Sequence, residues 1–113
     1  MSPNCLEWIR SGIEQDERYT ADEVICGIRN GEFQLFQYPK GIVVTQITGH
    51  QRLLVFLLSG SDIESWKEQA TKDLKAFAQQ LGIEIIEAYC RPGLQRMLKD
   101  CGWSLEQVVL RLR

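Results

Sequence analysis

The hydrophobic period changes twice between residues 53 and 89, and this change constrains the fold more than any other feature of the chain. Leu53-Leu54-Val55-Phe56-Leu57-Leu58 is apolar at every position, as in a strand covered on both faces. Ile63, Trp66, Ala70, Leu74, Phe77 and Leu81 then recur at helical spacing and predict one long helix over 62–81. Ser61 with Glu64 has the form of a capping box, and Gly82 suits a left-handed stop. Ile83 to Tyr89 is again a strand. A strand, a helical crossover and a second strand make a βαβ unit, so 53–59 and 83–89 are expected to lie parallel. An antiparallel pair would instead leave an unrelated α+β binding module.

The flanking segments complete the order. Leu6, Ile9 and Ile13 predict a short amphipathic helix over 5–15. Thr20 and Glu23 form a capping box for a second helix, with Val24, Ile25 and Ile28 as its apolar face and Gly31 at its end. Phe33–Tyr38 and Ile42–Thr48 read as strands, separated by the turn residues Pro39-Lys40-Gly41. With 53–59 they form an antiparallel meander. Pro92 opens a further helix whose buried face is Leu94, Met97 and Leu98, and Gly102 closes it. Val108, Leu110 and Leu112 alternate with Val109, Arg111 and Arg113 in a closing strand. The expected fold is α+β, ordered ααβββαβαβ, with a mixed sheet.

At 113 residues the chain has room for one domain over 1–113, with one hydrophobic core. Thirteen Lys and Arg against fifteen Asp and Glu give a net charge of −2, which argues against an electrostatic nucleic-acid binder. Residues 90–113 hold the bases Arg91, Arg96, Lys99, Arg111 and Arg113 against two acids, the one stretch whose side chains would welcome an anion. No apolar run approaches the ~20 residues that span a bilayer. The start, Met1-Ser2-Pro3-Asn4, has no basic region followed by an apolar stretch, so a cytoplasmic product is expected. Cys5, Cys26, Cys90 and Cys101 form no C-x-x-C pair, so no metal site is expected. They read as free thiols, with Cys26 and Cys101 at positions suited to small apolar residues. His50, in a turn, has no adjacent nucleophile to activate. Cys90 beside Arg91 has the surroundings that lower a thiol pKa, but no histidine partner.

The order of elements, and the segment Gly82-Ile83, strand, Arg91-Pro92-Gly93-Leu94, helix, Gly102-Trp103, resemble the GNAT fold of N-acetyltransferases. The likeness is to the small GNAT-like proteins of phages and prophages, and it covers residues 20–113. It implies a three-layer fold in which the strand 53–59 splays from 83–89 and the pantetheine arm of acetyl-CoA enters the wedge. The pyrophosphate would rest on backbone amides of the loop Ser59, Gly60, Ser61, Asp62 and Ile63, where a helix N-terminus attracts phosphate. The resemblance also asks for a base and an acid, for which Glu32 and Tyr89 are the candidates.

The loop departs from the family's pattern. Only Gly60 keeps the permissive backbone, no Arg or Lys lies between Arg52 and Lys67, and Asp62 and Glu64 bring negative charge. Two functions are therefore in view. In the first, the scaffold has a degraded acyl-CoA site and serves as a non-catalytic interaction, accessory or virion protein with a protein partner. In the second it is a minimal acetyl-CoA-dependent N-acetyltransferase with an unknown amine acceptor. The sequence does not specify an oligomeric state.

Overall fold

The structure is a computed structural model that describes residues 2–14, 19–49, 51–89, 92–104 and 112. The first helix, α1 (Pro3–Ile13), starts earlier than its apolar spacing implies. Ser2 Oγ accepts the Cys5 N–H at 3.1 Å, and Pro3 occupies the first turn, where its missing amide costs nothing. The second helix, α2 (Ala21–Arg29), carries the capping box in full: Thr20 Oγ1 accepts the Glu23 N–H at 3.2 Å, and the Glu23 carboxylate accepts the Thr20 N–H at 3.4 Å.

Strands β1 (Phe33–Tyr38), β2 (Gly41–Thr48) and β3 (Arg52–Gly60) form the antiparallel meander. A 3₁₀ turn at Ile63–Ser65 and the long helix α3 (Lys67–Leu81) lead to β4 (Ile85–Ala88), which pairs with β3 in parallel. Among the described residues the mixed sheet has four strands in the order β1-β2-β3-β4. Helix α4 (Pro92–Leu98) and a second 3₁₀ turn, Lys99–Cys101, follow. The order is thus ααβββαβα among the described residues. The expected closing strand falls on 108–113, which lie outside them except for Leu112.

The sheet is buried on both faces because β2 and β3 are apolar on both. Ile42 and Val44 join Ile9, Val24, Phe33, Phe56 and Leu57 in a core under α1 and α2. Val43, between them, points the other way and joins Leu53, Val55, Trp66, Leu74, Ala78 and Ile83 under α3. Each Val, Leu, Ile or Phe among them contributes about 1.5–3 kcal/mol through burial alone. Tyr19, Phe33 and Phe56 pack ring against ring with centroids 4.8–5.6 Å apart, closing the core beneath the two N-terminal helices.

Three expectations need correction. Helix α3 has no Ser61 cap: the chain first makes the 3₁₀ turn, and Trp66 stands at the N-cap position with no side-chain hydrogen bond to the helix. Trp66 sets this geometry, since its ring is buried and its indole N–H donates to the Ser61 carbonyl at 3.0 Å. Cys26 lies on the outer face of α2 and is exposed, and Cys101 is half-buried; neither fills an apolar site. Leu81, expected on the buried face, is 50% exposed at the last position of α3. Among the described residues no helix is long and apolar enough to cross a membrane.

Candidate functional site

The two parallel strands share only a short stretch. Pairing runs from Arg52↔Ile85 to Val55↔Ala88, and the Tyr89 N–H adds a bond to the Val55 carbonyl at 3.0 Å. Beyond Val55, β3 continues to Gly60 bonded to β2 alone among the described elements. The departure coincides with a bulge: Thr45 faces Val55 and Val44 faces Leu57, so Phe56 is the extra residue. A bulge bends its strand and increases its twist. The outcome is a gap between β3 and the end of β4, floored by Val43, Val55 and Leu58 and walled by Ala70, Thr71 and Leu74 of α3.

That gap is filled. Leu98, Trp103 and Tyr89 close it, leaving an apolar space of about 10 Å³, the room of a single water. Leu94 and Leu98 of α4 are buried. Trp103 donates its indole N–H to Thr71 Oγ1 at 3.1 Å. Lys67, whose side chain is 6% exposed, donates from Nζ to the Met97 carbonyl at 2.8 Å and pairs with Glu64 at 2.8 Å and Asp100 at 3.6 Å. The hydrogen bond to Glu64 holds the Lys67 ammonium above its usual pKa against the opposing effect of burial, and the charges of Glu64 and Asp100 add to it. These acids offset the disfavour of a cation at a helix N-terminus.

The loop 59–63 is likewise committed to its own chain. Gly60 has φ of 141°, and a Cβ there would meet the Lys40 carbonyl and Gly41 Cα. The glycine is required by the close approach of β2 and β3, whatever else the loop does. The Ser61 N–H donates to the Lys40 carbonyl at 2.8 Å, the Ser65 N–H to Asp62 at 2.9 Å and the Trp66 N–H to Ile63 at 3.1 Å. Asp62 is left-handed, with φ 48° and ψ 50°, and its carboxylate pairs with Lys40 at 2.9 Å. That hydrogen bond and charge hold the Asp62 carboxyl below its usual range. Ser59 is buried, and Ile63 is packed partly against the α3 core. Lys40 is thus a base at the loop that a scan of consecutive residues misses. Its signal is the hairpin register, which pairs Gly41 with Gly60.

Glu32 and Tyr89 do not meet. Glu32 precedes β1, is exposed, and is bonded to Asn30: its N–H donates to Asn30 Oδ1 at 3.1 Å. Tyr89 follows β4 and is 47% exposed at the mouth of the gap. With the sheet order β1-β2-β3-β4 they are separated by three strand spacings, roughly 14 Å, too far for direct proton exchange. His50, Cys90 and Arg91 lie outside the described residues. Among the described residues no three His, Cys, Asp or Glu side chains converge as a metal site would require.

No family model and no curated protein matches the sequence. The crystal structure of a point mutant of TTHA1254 from Thermus thermophilus is similar, with a TM-score of 0.62 at 17% identity, covering 100% of this chain and 92% of that one. The likeness extends over the whole α+β architecture, and at that identity what the two chains are seen to share is the fold.

Proposed function

We propose that this chain is a GNAT-like scaffold, of the small phage-encoded kind, whose acyl-CoA slot is degraded and which works as a non-catalytic accessory protein through contact with a protein partner. Its setting is the cytoplasm, or a virion assembled there. One observation carries the reading: the gap between β3 and β4, where a pantetheine arm would run, is packed with the chain's own Leu98 and Trp103 down to about 10 Å³. The amides of Ser61, Ser65 and Trp66 support it, because each already has a backbone acceptor. Titration calorimetry with acetyl-CoA tests the reading. No heat up to millimolar ligand is the expected result, and saturable micromolar binding would overturn it.

The second reading is a minimal N-acetyltransferase that uses the backbone of Gly60 to Ile63 for pyrophosphate. It is favoured by the divergence of β3 from β4 at the Phe56 bulge and by Lys40 beside the loop. Saturable binding in the same titration, together with release of free thiol from acetyl-CoA on adding an amine, is what this reading requires.

A further inference from the structure

The contacts that close the β3–β4 gap combine apolar filling with polar ties to α3. Leu98 and Trp103 supply the apolar filling, and polar ties join this segment to two side chains of α3, Lys67 and Thr71. Lys67 is the one that reaches both α4 and the following 3₁₀ turn: its Nζ touches the Met97 carbonyl and the Asp100 carboxylate. The acids that hold it are open to solvent, Glu64 at 61% and Asp100 at 82% exposure, so salt and competing ions reach them. Trp103 also borders an open cleft of about 130 Å³, lined by Thr71, Lys75, Ile86, Cys101 and Gly102 as well, so there is space beside it.

We propose that the segment from Pro92 to Trp103 is a reversible plug in the β3–β4 gap, with Lys67 as its latch. Released, it uncovers an apolar slot along Val43, Val55 and Leu58. The inference rests on reading that gap as a former binding slot and adds how it is kept shut: the closed segment covers the slot, and loosening the Lys67 contacts uncovers it.

Three cysteines report on this directly. Cys5 is buried on the inner face of α1, Cys26 is exposed on α2, and Cys101 lies in the 3₁₀ turn of the plug. Native-state alkylation with iodoacetamide, read residue by residue by mass spectrometry, follows each separately. Lys67→Met keeps the buried aliphatic stem and removes the charge. The expected result is that Cys101 reacts about tenfold faster in K67M while Cys5 and Cys26 are unchanged, the mark of local opening. Added salt speeds Cys101 in the wild type and has no such effect in the variant. Equal acceleration of Cys101 and Cys5, or an unchanged Cys101, overturns the proposal. Should K67M not fold, hydrogen exchange on the wild type decides: amides of 94–101 must open well before those of β2 and β3, and exchange in step with them refutes the plug. Acetyl-CoA takes no part in either measurement, so failure here and failure of the calorimetric reading are separate results.

Discussion

Replacing Gly60 by alanine puts a methyl group where the hairpin has no room for one. Gly60 sits at φ of 141°, and a Cβ would run into the Lys40 carbonyl oxygen and Gly41 Cα, both backbone atoms that cannot rotate away. Two costs add. A conformation open to glycine and closed to alanine costs about 1–3 kcal/mol. Forcing packed atoms apart costs about 1–3 kcal/mol more. The sum, centred near ~4 kcal/mol, is a large share of the ~5–15 kcal/mol that holds a domain together. For a chain of this size that lowers Tm by about 15 °C, at roughly 4 °C per kcal/mol. Gly31 is the control: its φ is 86°, yet nothing lies within 4 Å of its would-be Cβ. Gly31→Ala therefore loses only the conformational part, about 1–2 kcal/mol. Urea unfolding followed by tryptophan fluorescence measures both, with equal m-values as the check on two-state behaviour. A Gly60→Ala cost equal to or below that of Gly31→Ala would refute the crowding on which the structural role of Gly60 rests.

Thr20→Ala removes the acceptor for the Glu23 N–H and breaks the capping box of α2, so a loss of about 1 kcal/mol in the same urea assay is expected, with Thr20→Ser restoring most of it. The Asp62 carboxyl is held down by Lys40, so its contribution is present above its ordinary value of 3.8 and is lost as pH falls through the lower folded value. Asp62→Asn, which tolerates the left-handed backbone, should be less stable than wild type near neutrality and converge with it in acid, once the pH has fallen through the lowered folded value. A stability gap that persists in acid would count against the Lys40 pair.

What is legible in the sequence is legible through short-range physics. The meander shows because β-branched and aromatic runs are separated by Gly and Pro turns, and α2 because Thr20 and Glu23 announce a cap. The parallel pairing of β3 with β4 follows from the change of period around α3. The start of α3 misleads because Ser61 and Glu64 match a capping pattern locally. The deciding contact is the Trp66 indole on the Ser61 carbonyl, which depends on where the ring is buried. Lys40 beside Asp62 and Lys67 against Met97 are invisible for the same reason: their partners are 22 and 30 residues away. The filling of the gap by Leu98 and Trp103 cannot be read either, since both are ordinary apolar residues whose target is defined only once β3 has bent at Phe56. The distance between Glu32 and Tyr89 likewise requires the strand order.

Among the described residues the order of strands in the sheet equals their order in the chain, β1-β2-β3-β4. A nascent polypeptide emerging from the ribosome can therefore pair its first three strands, and seat both N-terminal helices on them, before residue 85 has left the exit tunnel. Those pairings are local and close quickly, whereas β4 must wait for the whole of α3 and then bridge the longer loop. The outer flank of β3 stays bare through that interval, a row of backbone groups open to a neighbouring strand from another chain. Birth order thus makes the parallel junction the last of the described strand pairings to form, and the one most open to mispairing while it waits.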